Sequence, residues 1–368
     1  MSDFDAVIIG GGPAGLATAI AVRRQGMRVA VLECNSPGID KACGEGLMPD
    51  SLRALCDLGV HFGADEGFAF HGIRFIGDGH EATARFPNGH ALGMRRVALH
   101  HTLAQHAEAA GVELLWNAHQ VTVAPGGVRT GNQRLRCEWV IGADGSNSRV
   151  RKDSGLAQIR HERKRFGFRR HYRIAPWTEH VEIYWGPSFQ IYITPVAADE
   201  VCVAVIAGSA QTRVDAALRH FPDLESRLSN VEHASHERGG VSVMRRLHAV
   251  QRGNVALIGD ASGSVDAITG EGLCLSFRQS MALAKALAAG DLGLYQQEHE
   301  RLAQLPRAMA SLMLMLGAHP GLRRRVLHSF AASHSVFDRF LAVHVGERPP
   351  KNIGLQPLLR LGWGMLTV

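Results

Sequence analysis

Apolar and polar positions alternate between two rhythms along this chain. Phe4 to Ile9 is a β-branched apolar run that ends in Gly10-Gly-Gly-Pro-Ala-Gly15. A helix carrying Leu16, Ala19 and Ile20 follows to a stop at Gly26, and Arg28 to Leu32 is a second strand ending in Glu33. Helical spacing returns over Asp50 to Leu58 and over Arg95 to Ala110. Between them Phe68 to Arg85 alternates and turns at Gly77-Asp78-Gly79, which predicts a hairpin. Short strands broken by Pro125-Gly-Gly127 and Gly131-Asn132 lead to a strand at Trp139 that ends in a Gly/Asp turn. Four runs of period-2 patterning follow, over Arg165 to Ile174, Val181 to Trp185, Phe189 to Pro195 and Val201 to Ala207; they predict an antiparallel sheet. Val255 to Ile258 is one more strand, and after its turn the chain is helical to Ala289, from Tyr295 to Leu316 and around Arg323 to Val343.

This order predicts an α/β fold: a discontinuous nucleotide-binding domain (1–66, 94–155 and 248–300), an inserted antiparallel-sheet domain for a substrate (67–93 and 156–247) and a helical C-terminal region (301–368). Gly10, Gly12 and Gly15 have the GxGxxG spacing between a strand and a helix. They provide a tight turn, room for backbone to approach a pyrophosphate, and close helix packing, while Glu33 suits ribose hydroxyls.

Composition narrows the picture. At 368 residues, 46% hydrophobic and 20% charged, the chain has material for two globular domains. Its net charge of +6 fits a dinucleotide or an anionic membrane surface, and it lacks the Lys-rich tracts of a nucleic-acid binder. The six cysteines form no CxxC pair, which excludes a disulfide framework and a zinc knuckle and suits a reducing cytoplasm. His100, His101 and His106 lack metal-site spacing, so no metal is expected. The first residues run straight into a strand, leaving no room for a signal peptide, and no apolar run approaches a membrane span.

Three motifs carry a resemblance: Gly10 to Gly15 with Glu33, the run G-A-D-G-S-N-S-R-V-R at Gly142 to Arg151, and Gly259-Asp-Ala261. Together they resemble the flavoprotein family of the para-hydroxybenzoate hydroxylases, geranylgeranyl reductases and flavin halogenases. The resemblance implies a Rossmann-like FAD-binding domain of the glutathione reductase type, with NADH or NADPH as electron donor. By that resemblance Gly10, Gly12, Pro13, Ala14 and Gly15 would cradle the pyrophosphate, Glu33 would hold the adenosine ribose, and Arg96 would lie along the pyrophosphate. Asp144 and Gly145 would serve FAD and the donor, Asp260 the ribityl chain or pyrophosphate, and Gly270, Gly272 and Leu273 the flavin ring. The loop K-A-C-G-E-G-L-M-P at Lys41 to Pro49 is similar to a reductase loop beside the flavin, which adds Lys41 and Gly44 to the cofactor candidates. No W-x-W-x-I-P of the halogenases is present; the nearest run is Tyr192-Ile-Thr-Pro195.

No catalytic residue follows from the sequence, but Cys43, Glu45 and Tyr192 are candidates for the cavity wall. Cys43 is a contact to the ring or a small buried hydrophobe. Glu45 is a proton relay or an exposed loop acid, and Glu271 complements a helix dipole. The cluster Arg160, Arg163, Lys164, Arg165, Arg169, Arg170 and Arg173 is a solvated sheet face or a landing strip for NAD(P)H phosphates. Met309, Leu312, Met313 and Leu316 form a helical stripe beside Arg323-Arg-Arg325, either packed on the nucleotide domain or forming a greasy entrance whose basic collar rests on a membrane. The expected reaction is monooxygenation of a hydrophobic aromatic substrate; the alternative is reduction of isoprenoid C=C bonds. A non-enzymatic flavin-bearing sensor is the third reading.

Overall fold

The computed structural model describes residues 3–63 and 65–349; the end of the expected helical tail, 350–368, lies outside the described residues. Its first sheet runs in the spatial order Gln251–Arg252, Val255–Leu257, Gln133–Gly142, Phe4–Ile9, Val29–Leu32, Glu113–Leu115. Phe4–Ile9 is parallel to both neighbours, with Ala6 opposite Val29 on one side and Trp139 on the other. Its last four residues are buried, as a parallel strand covered on both faces must be. The helix Pro13–Arg23 starts with Pro in the first turn and is buried along most of its length. It packs against Gly272–Ala288 through Thr18 and Ser280, whose hydroxyls are 2.9 Å apart.

The second sheet has seven strands in the order Arg238–Leu247, Ile159–Tyr172, Glu200–Ala207, Phe189–Ala197, His180–Trp185, Gly72–Gly77, His80–Arg85. Its pairs are antiparallel except one: His180–Trp185 runs parallel to Gly72–Gly77 and thereby joins the early hairpin to the later strands. The edge strand Arg238–Leu247 is not among the strands expected from the sequence: Val241, Val243 and Leu247 share one face, but Gly239, Gly240 and Arg245 interrupt the pattern. A three-stranded sheet of Gly46–Leu47, Ala91–Gly93 and Phe68–Phe70 lies between the two larger ones. A Cβ on Gly93 would fall 1.7 Å from the Pro195 carbonyl, so glycine lets the small sheet touch the second sheet.

Among the described residues the chain after Gly290 forms four helices, Leu292–Leu302, Gln304–Ala318, Pro320–Ala332 and His334–His344, where the sequence pattern suggested two stretches. Pro320 explains one break, because it can start a helix but not continue one. Val326, Leu327, Phe330, Phe337 and Leu341 cluster with Ile73, Phe75, Val181 and Ile183. The last two of these helices therefore pack on the second sheet, while Leu292 and Tyr295 of the first belong to the core of the nucleotide-binding sheet. Arg323 also corrects the expectation of a basic collar: it is buried, with Nε 2.6 Å and Nη2 2.9 Å from the two Asp78 carboxylate oxygens. Only Arg324 and Arg325 of that trio are exposed. Among the described residues no helix is long and apolar enough to cross a membrane.

Candidate functional site

Three turns at the strand ends converge. Gly10 has φ +114°, and a Cβ there would lie 2.4 Å from the Ala143 carbonyl; on Gly15 it would lie 1.9 Å from the Gly10 carbonyl. These two glycines serve packing, whereas Gly12 has nothing within 4 Å of its Cβ position. Glu33 is buried and accepts from Gly11 N (2.7 Å) and Asn35 N (2.9 Å), which fixes its carboxylate at the end of its strand. His100, fully buried, donates from Nε2 to the Gly11 carbonyl at 2.9 Å. Burial first, then nearby Arg96, lowers its pKa despite that hydrogen bond, so the ring is a neutral prop under the glycine turn. The sequence offered His100 only as a rejected metal ligand.

In the middle turn Asp144 Oδ2 accepts from Arg149 N (2.6 Å) and Val150 N (3.1 Å), capping the short helix Arg149–Asp153. Arg151 ties this turn to the late one: Nη1 donates to the Ala261 carbonyl (2.9 Å) and Nη2 to that of Ser146 (2.7 Å). The late turn, a 3₁₀ element Gly259–Ser262, is also held by His299, whose Nε2 is 3.0 Å from Ser262 Oγ, and by Tyr295, whose hydroxyl donates to the Leu257 carbonyl at 2.7 Å. Burial pushes His299 down to about 4, so it is neutral there. Asp260 pairs with Lys41 at 2.9 Å, both side chains about half exposed (41% and 54%).

Glu45 is not an exposed loop acid. It is 3% exposed with φ +58°, and Oε1 accepts from Arg96 N at 2.9 Å while Oε2 lies 2.6 Å from His171 Nε2. It supplies, from a distant loop, the cap that Arg95 does not give the helix Arg96–Ala109. Around it Arg169 bonds Asp40, and Arg95 and Arg169 reach His171 Nδ1 at 3.2 and 2.9 Å. Glu45, His171 and Cys202 present ligand atoms within 4.8 Å of one another. The two guanidinium groups already supply the positive charge a cation would bring, so the cluster is an ion-pair network.

The basic strand is corrected as well. Arg165, Arg169 and Arg170 are buried, paired with Asp266, Asp40 and Asp215, so neither a solvated face nor a phosphate landing strip describes them. Arg160, Arg163 and Lys164 remain exposed. Period-2 reading could place these residues on faces but could not supply the acids that meet them.

One cavity of about 1130 Å³ joins the three turns to the tail. At one end it is lined by Gly10, Gly12, Pro13, Ala14, Glu33, Lys41, Gly44, Arg96, Asp144, Gly145, Asp260, Gly270, Gly272 and Leu273; Gly15 alone of the cofactor candidates is behind the wall. Half-buried Cys43 and Tyr192 and the buried Glu45 also line it. The Tyr192 hydroxyl donates to the Ile268 carbonyl (2.6 Å), and burial raises its pKa, so it stays protonated. At the other end the walls are Ile73, Phe75, Val181, Ile183 and the tail residues Met309, Leu312, Met313, Leu316, Phe330 and Phe337.

The nucleotide end fits FAD on its own geometry. Cβ positions at Gly12, Gly44, Gly145, Gly270 and Gly272 are free of neighbours, leaving bare backbone toward the space. Arg96 Nε and Asp144 Oδ1 are buried without a partner, a donor and an acceptor left over in the wall of a cavity. A parallel sheet with a glycine-rich first turn, joined through one cavity to a second sheet, defines an FAD-dependent oxidoreductase. The chain belongs to the FAD binding domain family, whose profile matches residues 3–298.

Its relatives include reductases and a monooxygenase. A menaquinone reductase of Mycolicibacterium smegmatis is 26% identical over 330 residues, covering 82% of this chain and 80% of that one. A chloroplastic geranylgeranyl diphosphate reductase of Oryza sativa is 25% identical over 80% of this chain and 71% of its own. A rifampicin monooxygenase of Streptomyces venezuelae is 31% identical over 169 residues, covering 42% of this chain and 34% of its own. A flavoprotein/dehydrogenase structure from Cytophaga hutchinsonii superposes with a TM-score of 0.82 at 18% identity, covering 99% of both chains.

Proposed function

We propose that this enzyme adds two hydrogens across a C=C bond of a long, apolar, prenyl-type substrate, with NADH or NADPH as donor. The observation that carries the reading is the far half of the cavity, where Ile73, Phe75, Val181, Ile183 and the tail's Met309, Leu312, Met313, Leu316, Phe330 and Phe337 are apolar and His344 is the polar exception. Nearby polar side chains are already committed: Tyr192 to the Ile268 carbonyl and Thr194 to the Gly44 carbonyl at 2.8 Å. A polar aromatic substrate would find few partners there, whereas a lipid chain needs none.

FAD, when bound, supplies the two-electron chemistry. In this reading Gly10, Gly12, Pro13 and Ala14 hold its pyrophosphate with Arg96 alongside, and Glu33 takes the adenosine ribose. Gly15 closes the helix onto the strand behind them. Asp260, held by Lys41, and Asp144 with Gly145 meet the hydroxyl-bearing linker, and Gly44, Gly270, Gly272 and Leu273 face the ring. Arg149, 68% exposed, and Arg238, 56% exposed with its Nε 2.6 Å from Asp40, are both on the cavity wall and offer their remaining N–H donors to the phosphates of NADH or NADPH. The tail helices cover the apolar end and exclude water from it. The names of the mycobacterial and rice relatives point the same way. The Streptomyces relative favours a second reading, insertion of an oxygen atom.

Product mass separates the two. FAD-loaded protein is incubated with NADH or NADPH and a menaquinone, and the product is reoxidised in air so that any quinol returns to quinone. A lasting gain of two hydrogens in the side chain supports reduction, while a gain of one oxygen atom supports the second reading and removes the first.

A further inference from the structure

We propose that the rings of Phe75, Phe330, Phe337 and Phe340 are the end stop of the cavity and set the length of apolar chain it accepts. The proposal rests on the reading of a long apolar substrate given above. All four rings line the cavity, and they come from three elements: the strand Gly72–Gly77 and the helices Pro320–Ala332 and His334–His344. Phe330 and Phe337 stack with centroids 4.5 Å apart and planes 3° from parallel. Phe75 meets Phe337 at 4.8 Å, and Phe340 meets Phe330 at 5.6 Å. Aromatic side chains have few rotatable bonds, so such a stack holds its position more firmly than Leu or Met would.

The stack is also braced from behind. Phe75 stands edge-on to Trp185 at 5.7 Å, and the Arg323 guanidinium lies over the Trp185 ring, 5.9 Å from its centroid. Arg323 is in turn fixed by both oxygens of Asp78 at the hairpin turn. An ion pair between the buried Arg323 and Asp78 at the hairpin turn thus ties the helix carrying Phe330 to the hairpin carrying Phe75, so that part of the wall retreats from a chain that is too long only by breaking the pair. The sides nearer the nucleotide end are walled by Met309, Leu312 and Met313, flexible side chains that adapt to a chain passing by. Pliant sides and a rigid end are the arrangement of a length gauge: the walls accept the chain and the end decides how much of it fits.

The test is a binding series with linear prenyl alcohols of increasing numbers of isoprene units, titrated into the FAD-loaded protein by calorimetry. Wild type is expected to gain affinity with each unit up to a limiting length and to lose it beyond. Phe337→Ala, and Phe340→Ala as the variant at a half-buried ring that disturbs the core less, should each move the limit to longer chains. The first alcohol beyond the wild-type limit should bind about tenfold tighter to them, the effect of roughly two newly buried methylenes. An unchanged limit in folded variants overturns the end stop and leaves the apolar-substrate reading standing. Wild-type protein that binds no alcohol of any length overturns that reading, and the end stop with it.

Discussion

Gly12 and Gly15 stand in one turn and are glycine for different reasons. A methyl group at Gly15 would strike the Gly10 carbonyl at 1.9 Å, while one at Gly12 would meet no protein atom and would intrude only on what the cavity holds. Gly15→Ala is therefore expected to cost about 3 kcal/mol of folding stability, seen as a lower Tm of the FAD-free protein. Gly12→Ala should leave that Tm unchanged and weaken FAD binding by roughly 10- to 100-fold, the scale of one broken hydrogen bond to a charged group. Equal Tm losses in both would show that the turn is misread. The spacing of these glycines was legible in the sequence because turn, strand and helix are adjacent in the chain. His100 under Gly11 and Glu45 against Arg96 and His171 were not legible in these roles, because each depends on segments far apart in sequence coming together. Burial of a lone polar residue leaves no periodic mark.

At the scale of elements, the end of the last described helix meets the start of the helix that faces the cavity. His344 Nδ1 is 3.0 Å from Glu271 Oε1, and Glu271 is the residue before Gly272–Ala288. Burial raises the Glu271 carboxyl to about 7; His344 and Arg278 oppose the shift, and Asp50 adds to it. A carboxyl that binds its proton more tightly in the folded state stabilises the fold below its ordinary pKa. That contribution disappears as pH rises from the ordinary 4.5 to about 7. Glu271→Gln removes the titration, so its Tm relative to wild type should rise over that interval by the equivalent of a few kcal/mol, on the order of 1.4 per pKa unit. A constant Tm difference from pH 4.5 to pH 7 would count against it. The sequence showed Glu271 only as an acid at a helix start, a reading that needs no partner. In the same way the alternation along Arg165 to Ile174 revealed part of the strand Ile159–Tyr172, but not that Arg165, Arg169 and Arg170 are buried on both of its faces against acids from elsewhere.

For the molecule as a whole, the two-sheet plan was readable because each sheet announces itself by a local rhythm. The position of the tail was not. An apolar helical stripe tells that something covers it, and here the cover is the second sheet and an open cavity, with Arg323 turned inward to Asp78. That placement makes one chamber out of a nucleotide site and a largely apolar sleeve, and under the proposed function electrons cross from the first to a lipid chain in the second. A single turnover without oxygen tests this most directly. FAD-loaded protein, reduced in advance, is mixed anaerobically with a long prenyl alcohol or a prenylated lipid while the absorbance of oxidised FAD is followed. If C=C reduction is the reaction, this absorbance returns at a rate that rises with substrate concentration and the substrate leaves with two added hydrogens. Reduced FAD that persists until oxygen is admitted, with product then carrying an oxygen atom, would contradict it.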